Sequence, residues 1–406
     1  MRRFRSPGIL LSKMMVAIVL GCAGSAFASS PSLRDAVEAA WARQPESRAL
    51  AARQEEMAAK RHAASALFPA PPSITLAQRT DRFNQNRGDR ETEAELSAPV
   101  WIPGTRDSAQ RLAAAETAYL DTSTLSAKLR LAGEVREAYW QARLAQNDRE
   151  VNVRKADEAA LLVQDVERRL KAGELARADA NQAQGAERLA RASLADAEAR
   201  AFRAFKAFTA LTGLAQLPES GDRLPEGRAS GDHPQFSVLE ANLQVQRARL
   251  AQAGAERREP PEVSVGMRRE HPAFGEAYEN SVRFAVRIPL ATQSRNAPRI
   301  TAANAELIEA ETALARERER VQAEIDAARA ELTQAQQIEK LAEERYQLAS
   351  DTKALYAKAF RLGELDLPAR LRSENEFFDA ELSLSRARLE GGRAISRINQ
   401  ALGLLP

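Results

Sequence analysis

Cysteine is nearly missing: Cys22 is the only one in 406 residues, which excludes an intrachain disulfide framework. Histidine is scarce as well. His62, His233 and His271 are scattered without the helical spacing of a zinc site, so no metal-ligating set can be read. Aromatic residues amount to 5%, too few to fill a large globular core. Beyond the first residues, no apolar run reaches the roughly 18 to 20 residues of a membrane-spanning helix. Nowhere do a nucleophile, a base and an orienting group stand together, and there is no phosphate-binding glycine loop. Catalysis is not expected, and neither a cofactor nor a metal site is assigned.

Present instead are long tracts rich in Ala, Glu, Arg, Leu and Gln, with proline and glycine gathered at a few places. This is the composition of long helices rather than of compact layers. The start reads as an export leader, residues 1–28. Arg2, Arg3, Arg5 and Lys13 precede the apolar run Met14 to Leu20, and Ala26-Phe27-Ala28 is a small-x-small cleavage site. Loss of the leader removes four positive charges and no negative ones, taking the net charge from +3 to −1. The basicity that would recommend nucleic acid as a partner is therefore mostly leader. Val19-Leu20-Gly21-Cys22 resembles a lipoprotein cleavage box, which makes Cys22 a candidate for lipidation; cleavage after Ala28 is the favoured alternative. An exported chain without a spanning helix is either soluble or a β-barrel.

The remainder repeats itself at an offset of about 190 residues. Gln44-Pro45 answers to His233-Pro234, Pro71-Pro72 to Pro260-Pro261, Pro99-Val100 to Pro289-Leu290, Gly173-Glu174-Leu175 to Gly363-Glu364-Leu365, and Gly213-Leu214 to Gly403-Leu404. A period this long is not that of a solenoid; it marks one architecture built from a duplicated unit. The expected division is a first repeat at 29–214, a linker at 215–234 and a second repeat at 235–406.

Each repeat reads as helix, two short strands, long helix, tip, helix. The expected strands are 73–80, 91–100, 262–269 and 280–288, and the long helices 105–170 and 297–361. Helix 33–67 carries a kink near Pro45, and returning helices run over 174–211 and 364–402. At 1.5 Å per residue each long helix spans about 100 Å, as far as two short helices laid end to end. Leu307, Leu314, Val321, Ala328, Ala335, Ala342 and Ala349 recur every seven residues, and Leu341, Leu348, Leu355 and Leu362 make a second such row. A sustained heptad means knobs-into-holes contact with neighbouring helices. In the strands, Val282, Phe284, Val286 and Ile288 alternate with Ser281, Arg283, Ala285 and Arg287, so one face is greasy and the other charged. Such alternation over about 9 to 11 residues suits an outer-membrane barrel. Four strands cannot close one, so the wall needs more chains.

With the duplicated unit, the Pro-Val-Trp-Ile-Pro-Gly segment at 99–104 and the Gly-Glu-Leu tips in this order, the chain resembles the TolC family of outer-membrane efflux and secretion channels. The resemblance covers about 32–406. It implies a fold that is mainly α with a transmembrane β-barrel: a homotrimer, four strands per protomer in a twelve-stranded barrel, and long coiled-coil helices forming a periplasmic tunnel. It also implies a periplasmic adaptor and an inner-membrane pump as partners, with outer-membrane lipid around the barrel. The form of the 99–104 segment is similar to members that serve heavy-metal pumps of the resistance-nodulation-division class.

By the same resemblance, the tips Arg169, Leu170, Gly173, Glu174 and Leu175, with Arg361, Leu362, Gly363, Glu364 and Leu365, ring the inner end of the tube and meet the adaptor; helix capping alone is the alternative. Family members close this end with acids two or three turns past the second tip glycine. Here Ala369, Arg370 and Arg372 stand there instead, leaving Asp179 and Asp366 as candidates for charge rings at the aperture, or else as solvated carboxylates. Trp101 is either an interface anchor or a packing residue at the strand-to-helix junction. Arg87-Gly88-Asp89 is read as a loop, not an adhesion motif. The rival to a passive export duct is a periplasmic adaptor or coiled-coil scaffold of an export complex.

Overall fold

The computed structural model describes residues 31–224, 233–290 and 293–406. The expected leader and Cys22 lie outside the described residues, as does the linker from 225 to 232. In chain order the elements are α1 (Leu33–Arg43), α2 (Pro45–Ser65), β1 (Ser73–Thr80), β2 (Arg90–Pro99), α3 (Thr105–Lys171), α4 (Arg177–Thr212), α5 (Pro234–Ala255), β3 (Glu262–His271), β4 (Glu279–Arg287), α6 (Gln293–Leu362) and α7 (Leu367–Ala401).

Where one kinked helix was expected at the start there are two. Gln44 is extended (φ −71°, ψ 142°) and Pro45 opens α2, because a residue before proline is pushed out of the α region. The returning helices also start later than expected, at Arg177 and Leu367, since Glu174 and Glu364 belong to the turns.

The 67 residues of α3 and the 70 of α6 make two rods of about 100 Å. Short helices lie along them: α3 packs along α1, α2, α4, α5 and α7, whereas α6 packs along α5 and α7 and meets α3 through Lys353–Glu158 and, near the tip, Phe360. The first heptad row holds this seam together. Leu314, Val321, Ala328 and Ala342 are buried, and Leu307 and Leu314 meet Leu239 and Leu243 of α5. The second row does not pack within the chain: Leu341, Leu348, Leu355 and Leu362 are all more than half exposed.

The densest core sits midway along α3, where Leu131, Ala132, Val135, Tyr139 and Trp140 meet Leu33, Ala36, Val37 and Ala40 of α1 and Phe208 of α4. Through it the two repeats are bolted together. Arg136 is buried; its Nε donates to Asp222 (2.7 Å), one terminal nitrogen to Gln400 (2.5 Å) and the other to the Leu404 carbonyl (3.0 Å). Trp140 donates to Ser396 at 2.8 Å, with Gly221 and Gly392 set so close to its ring that a Cβ on either would lie 2.5 or 2.3 Å from it. The first part of the expected linker is thus a strap over the core, held at Asp222 and Gly221.

The strands form one antiparallel sheet in the order β1-β2-β3-β4. Its register lines up Ile74, Leu96, Val265 and Phe284 in one row, and Leu76, Ala94, Met267 and Val282 in the next. Among the described residues no helix packs on the sheet, so backbone pairing rather than a core fixes it. Among the described residues no helix is long and apolar enough to cross a membrane.

Candidate functional site

Three features of the molecule are unfinished: the sheet, the outer flank of α6 and the helical tips. In the sheet, period-two alternation sends every second side chain to the same face. One face carries Ile74, Leu76, Val263, Val265, Met267, Val282, Phe284 and Val286, at 40 to 82% exposure. The other carries Glu91, Glu93, Glu95, Glu262, Glu270 and Glu279 against Arg79, Arg268, Arg283 and Arg287, an excess of acid. Arg283 reaches Glu95 at 2.5 Å and Glu93 at 3.4 Å, and Arg268 reaches Glu91 at 2.8 Å and Glu270 at 2.9 Å. The edge strands β1 and β4 each pair on one side only.

Both tips are Schellman turns. At the first, the Glu174 N–H donates to the Arg169 carbonyl (2.9 Å) and the Gly173 N–H to that of Leu170 (3.0 Å). At the second, Glu364 donates to Ala359 (2.9 Å) and Gly363 to Phe360 (3.2 Å). Gly173 and Gly363 have φ of +80° and +78°, where any Cβ is strained. Part of the expected rim turns inward. Leu170, Leu175 and Leu365 pack with Val166, Phe360 and Leu367 in a cluster that clips one hairpin to the other. The guanidinium groups of Arg169 and Arg370 both lie over the Phe360 ring, at 5.1 and 4.9 Å from its centroid. Gly173, Glu174, Arg361, Leu362, Gly363 and Glu364 remain exposed.

The two candidate aperture acids both cap helices. Asp366 is the N-cap of α7 and accepts from the Ala369 N–H at 3.0 Å; Asp179 lies in the first turn of α4 and accepts from the Ala176 N–H at 3.0 Å. Arg370 pairs with Glu374 (3.0 Å), whose carboxyl is pushed above its usual range chiefly by burial.

The remaining single residues settle locally. The Trp101 indole N–H donates to the Ala66 carbonyl at 3.0 Å, so this ring packs the strand-to-helix junction. His233 caps α5 by accepting the Gln235 N–H on Nδ1 (3.2 Å), and burial holds its pKa below the ordinary value. Gly88 sits in the β1–β2 loop at φ +97°, as a turn requires. Among the described residues no three or more His, Cys, Asp or Glu are grouped so as to hold a metal ion.

Sequence reading missed the Arg136 hub. Its one visible signal was Tyr139-Trp140, an aromatic pair in a helix that otherwise has little aromatic character.

No protein-family model matches the chain, and no curated protein matches it. Solved structures do. The outer membrane protein VceC of Vibrio cholerae superimposes with a TM-score of 0.73 at 16% identity, covering 91% of this chain and 96% of its own. CusC, studied for folding and transmembrane channel formation, gives 0.76 at 15% identity, with 92% of each chain covered. The open-state MtrE outer membrane channel of Neisseria gonorrhoeae gives 0.73 at 16%, covering 93% and 90%. The chain therefore has the fold of these outer-membrane proteins, long helices with a four-stranded sheet, which is the TolC-like fold that the sequence resemblance implied.

Proposed function

We propose that this chain is one third of an outer-membrane export conduit. Three copies set their sheets edge to edge in a twelve-stranded barrel and their long helices side by side in a periplasmic tunnel. The observation that carries this reading is a sheet uncovered on both faces and open at both edges, greasy on one face and acidic on the other. Eight large side chains of the apolar face, left in water, forgo on the order of 10 kcal/mol of burial. Lipid outside and a water-filled bore inside satisfy both faces, and neighbouring copies satisfy the edges.

The duct is passive. Cargo arrives from an inner-membrane pump of the resistance-nodulation-division type through a periplasmic adaptor, which docks on the exposed part of the tips: Gly173, Glu174, Arg361, Leu362, Gly363 and Glu364. Arg169, Leu170, Leu175 and Leu365 support that rim from behind. Asp179 and Asp366, repeated by threefold symmetry, add negative charge near the aperture in addition to capping their helices. The acidic bore favours cations, in keeping with the likeness of the 99–104 segment to partners of heavy-metal pumps. The fold shared with outer membrane channels supports the duct over a periplasmic scaffold, and two hairpins rather than one weigh the same way.

Leu348→Glu with Leu355→Glu places charge on the exposed row of α6. The wild type is expected as a heat-modifiable trimer in outer membranes, and the variant as a helical monomer by light scattering and circular dichroism. Recovery of the wild type as a soluble periplasmic monomer overturns the proposal. For cargo, a deletion strain challenged with zinc, cobalt, cadmium, copper and silver salts should lose tolerance to at least one; unchanged tolerance to all removes the metal assignment.

A further inference from the structure

A cleft of about 570 Å³ lies where the sheet passes into the helices. Its lining combines apolar Trp101, Ile102, Pro260 and Leu290 with Arg257 and Arg258 after α5 and Arg295 and Arg299 in the first turns of α6, beside two carboxylates, Glu256 and Glu259. Two of the four arginines are partly neutralised: Arg295 lies 3.5 Å from Glu259 and Arg299 3.5 Å from Glu256. Arg257 and Arg258 are exposed and have no carboxylate partner among the described residues.

The position of the cleft says at what height it sits. Leu290 is 86% exposed and extends the alternating apolar row Val282, Phe284, Val286, Ile288. The last residues of the polar face, Glu262 and Arg287, do not line it. Ile102 and Leu290 carry the greasy face into the cleft while Trp101, Pro260 and Pro289 follow the other parity, so the cleft lies at the foot of the sheet, one step below its lowest apolar residues. Resting on the conduit reading, that is the level at which the periplasmic leaflet of the membrane ends.

We infer that this cleft holds the headgroup of an anionic phospholipid from that leaflet. Guanidinium groups match a phosphate bidentately, a surplus of two positive charges attracts a lipid of net negative charge more than a zwitterionic one, and the apolar lining of Trp101, Ile102, Pro260 and Leu290 receives the glycerol and the first methylenes of the acyl chains. In a threefold assembly three such clefts make a collar that fixes the height of the barrel in the bilayer. An inorganic anion would use the arginines and leave Trp101, Ile102 and Leu290 in water, so lipid is the occupant that uses the whole cleft.

Trp101 reports on the site, since Trp41 and Trp140 lie in the core midway along α3. The full protein is reconstituted into phosphatidylcholine vesicles containing a minor fraction of brominated phosphatidylglycerol or, in parallel, the same fraction of brominated phosphatidylcholine. Tryptophan quenching by the anionic lipid should follow an apparent affinity roughly tenfold higher. Arg257→Gln with Arg258→Gln should abolish the preference and leave quenching by phosphatidylcholine unchanged. Equal quenching by the two lipids in the wild type overturns the headgroup site while leaving the barrel in place, as does a preference that survives in the double variant. If inorganic phosphate at constant ionic strength erases the preference, the cleft is an anion site and the lipid assignment falls. Absence of quenching by either lipid overturns the conduit reading itself, and this inference with it.

Discussion

Midway along α3, Val135, Arg136, Tyr139 and Trp140 are buried against helices of both repeats. At the corresponding place in α6, about 190 residues later, Asp326, Arg329 and Ala330 face solvent and Ile325 is half covered. The backbones follow the same plan, but duplication has divided the labour. The first long helix is an internal wall wrapped by five others, whereas the second is an edge wall with partners on one side and an unused leucine row on the other. A repeat therefore predicts the path of the chain better than it predicts what each position does.

The largest test of this contrast is Arg136→Ala, which leaves Asp222 charged and buried without its partner and should cost about 3–5 kcal/mol, read as a lowered urea midpoint. Asp326→Ala, the same position in the other repeat, should change stability by less than about 0.5 kcal/mol. If the two variants behave alike, the middle of α3 is not the keystone described.

Neighbouring glycines of α7 sharpen it further. Gly392→Ala drives a methyl into Trp140, at a cost of about 1–3 kcal/mol. Gly391→Ala meets nothing closer than a Glu339 oxygen at 3.7 Å and should stabilise by about 0.5–1 kcal/mol through a less flexible unfolded chain. Thermal unfolding distinguishes the two signs.

The smallest effects lie at the tips, where each repeat keeps half of a capping box. The second has the N-cap carboxylate, Asp366, over Ala369; the first has the reciprocal one, Asp179, reaching back to Ala176. Asp366→Ala should cost about 1 kcal/mol and Asp179→Ala about 0.5 kcal/mol. Ala176→Ser, which completes the first box, should return about 0.5–1 kcal/mol. Amide exchange in the first turns of α4 and α7 provides the readout.

Periodicity made much of this legible. The strand of Ser73 to Thr80 begins and ends where proline and polar punctuation place it, and the others agree to within two residues at either end, because period-two alternation leaves little freedom of register. Both tips were marked by Gly-Glu-Leu, since only glycine suits the left-handed position. What the sequence concealed depends on distant partners. Arg136 looks like any solvated arginine of a helix until Asp222 arrives from a segment rich in proline and glycine that reads as a mere connection. Leu175 and Leu365 read as rim residues, yet the turn swings them back onto Phe360 and Leu367. The two leucine rows of α6 are alike in sequence, and only the positions of α5 and α7 show which is already covered. The junction cleft was hidden for the same reason: its arginines are ordinary surface residues until the chain brings α5, α6 and Trp101 together.

The uncovered sheet also implies an order of events. The rods and their seams can form in water, but four strands with raw borders and a bare hydrocarbon-seeking side invite every other strand in the compartment. On the conduit reading they pair last, across neighbouring copies, so each subunit joins as a finished shaft beneath an unassembled crown.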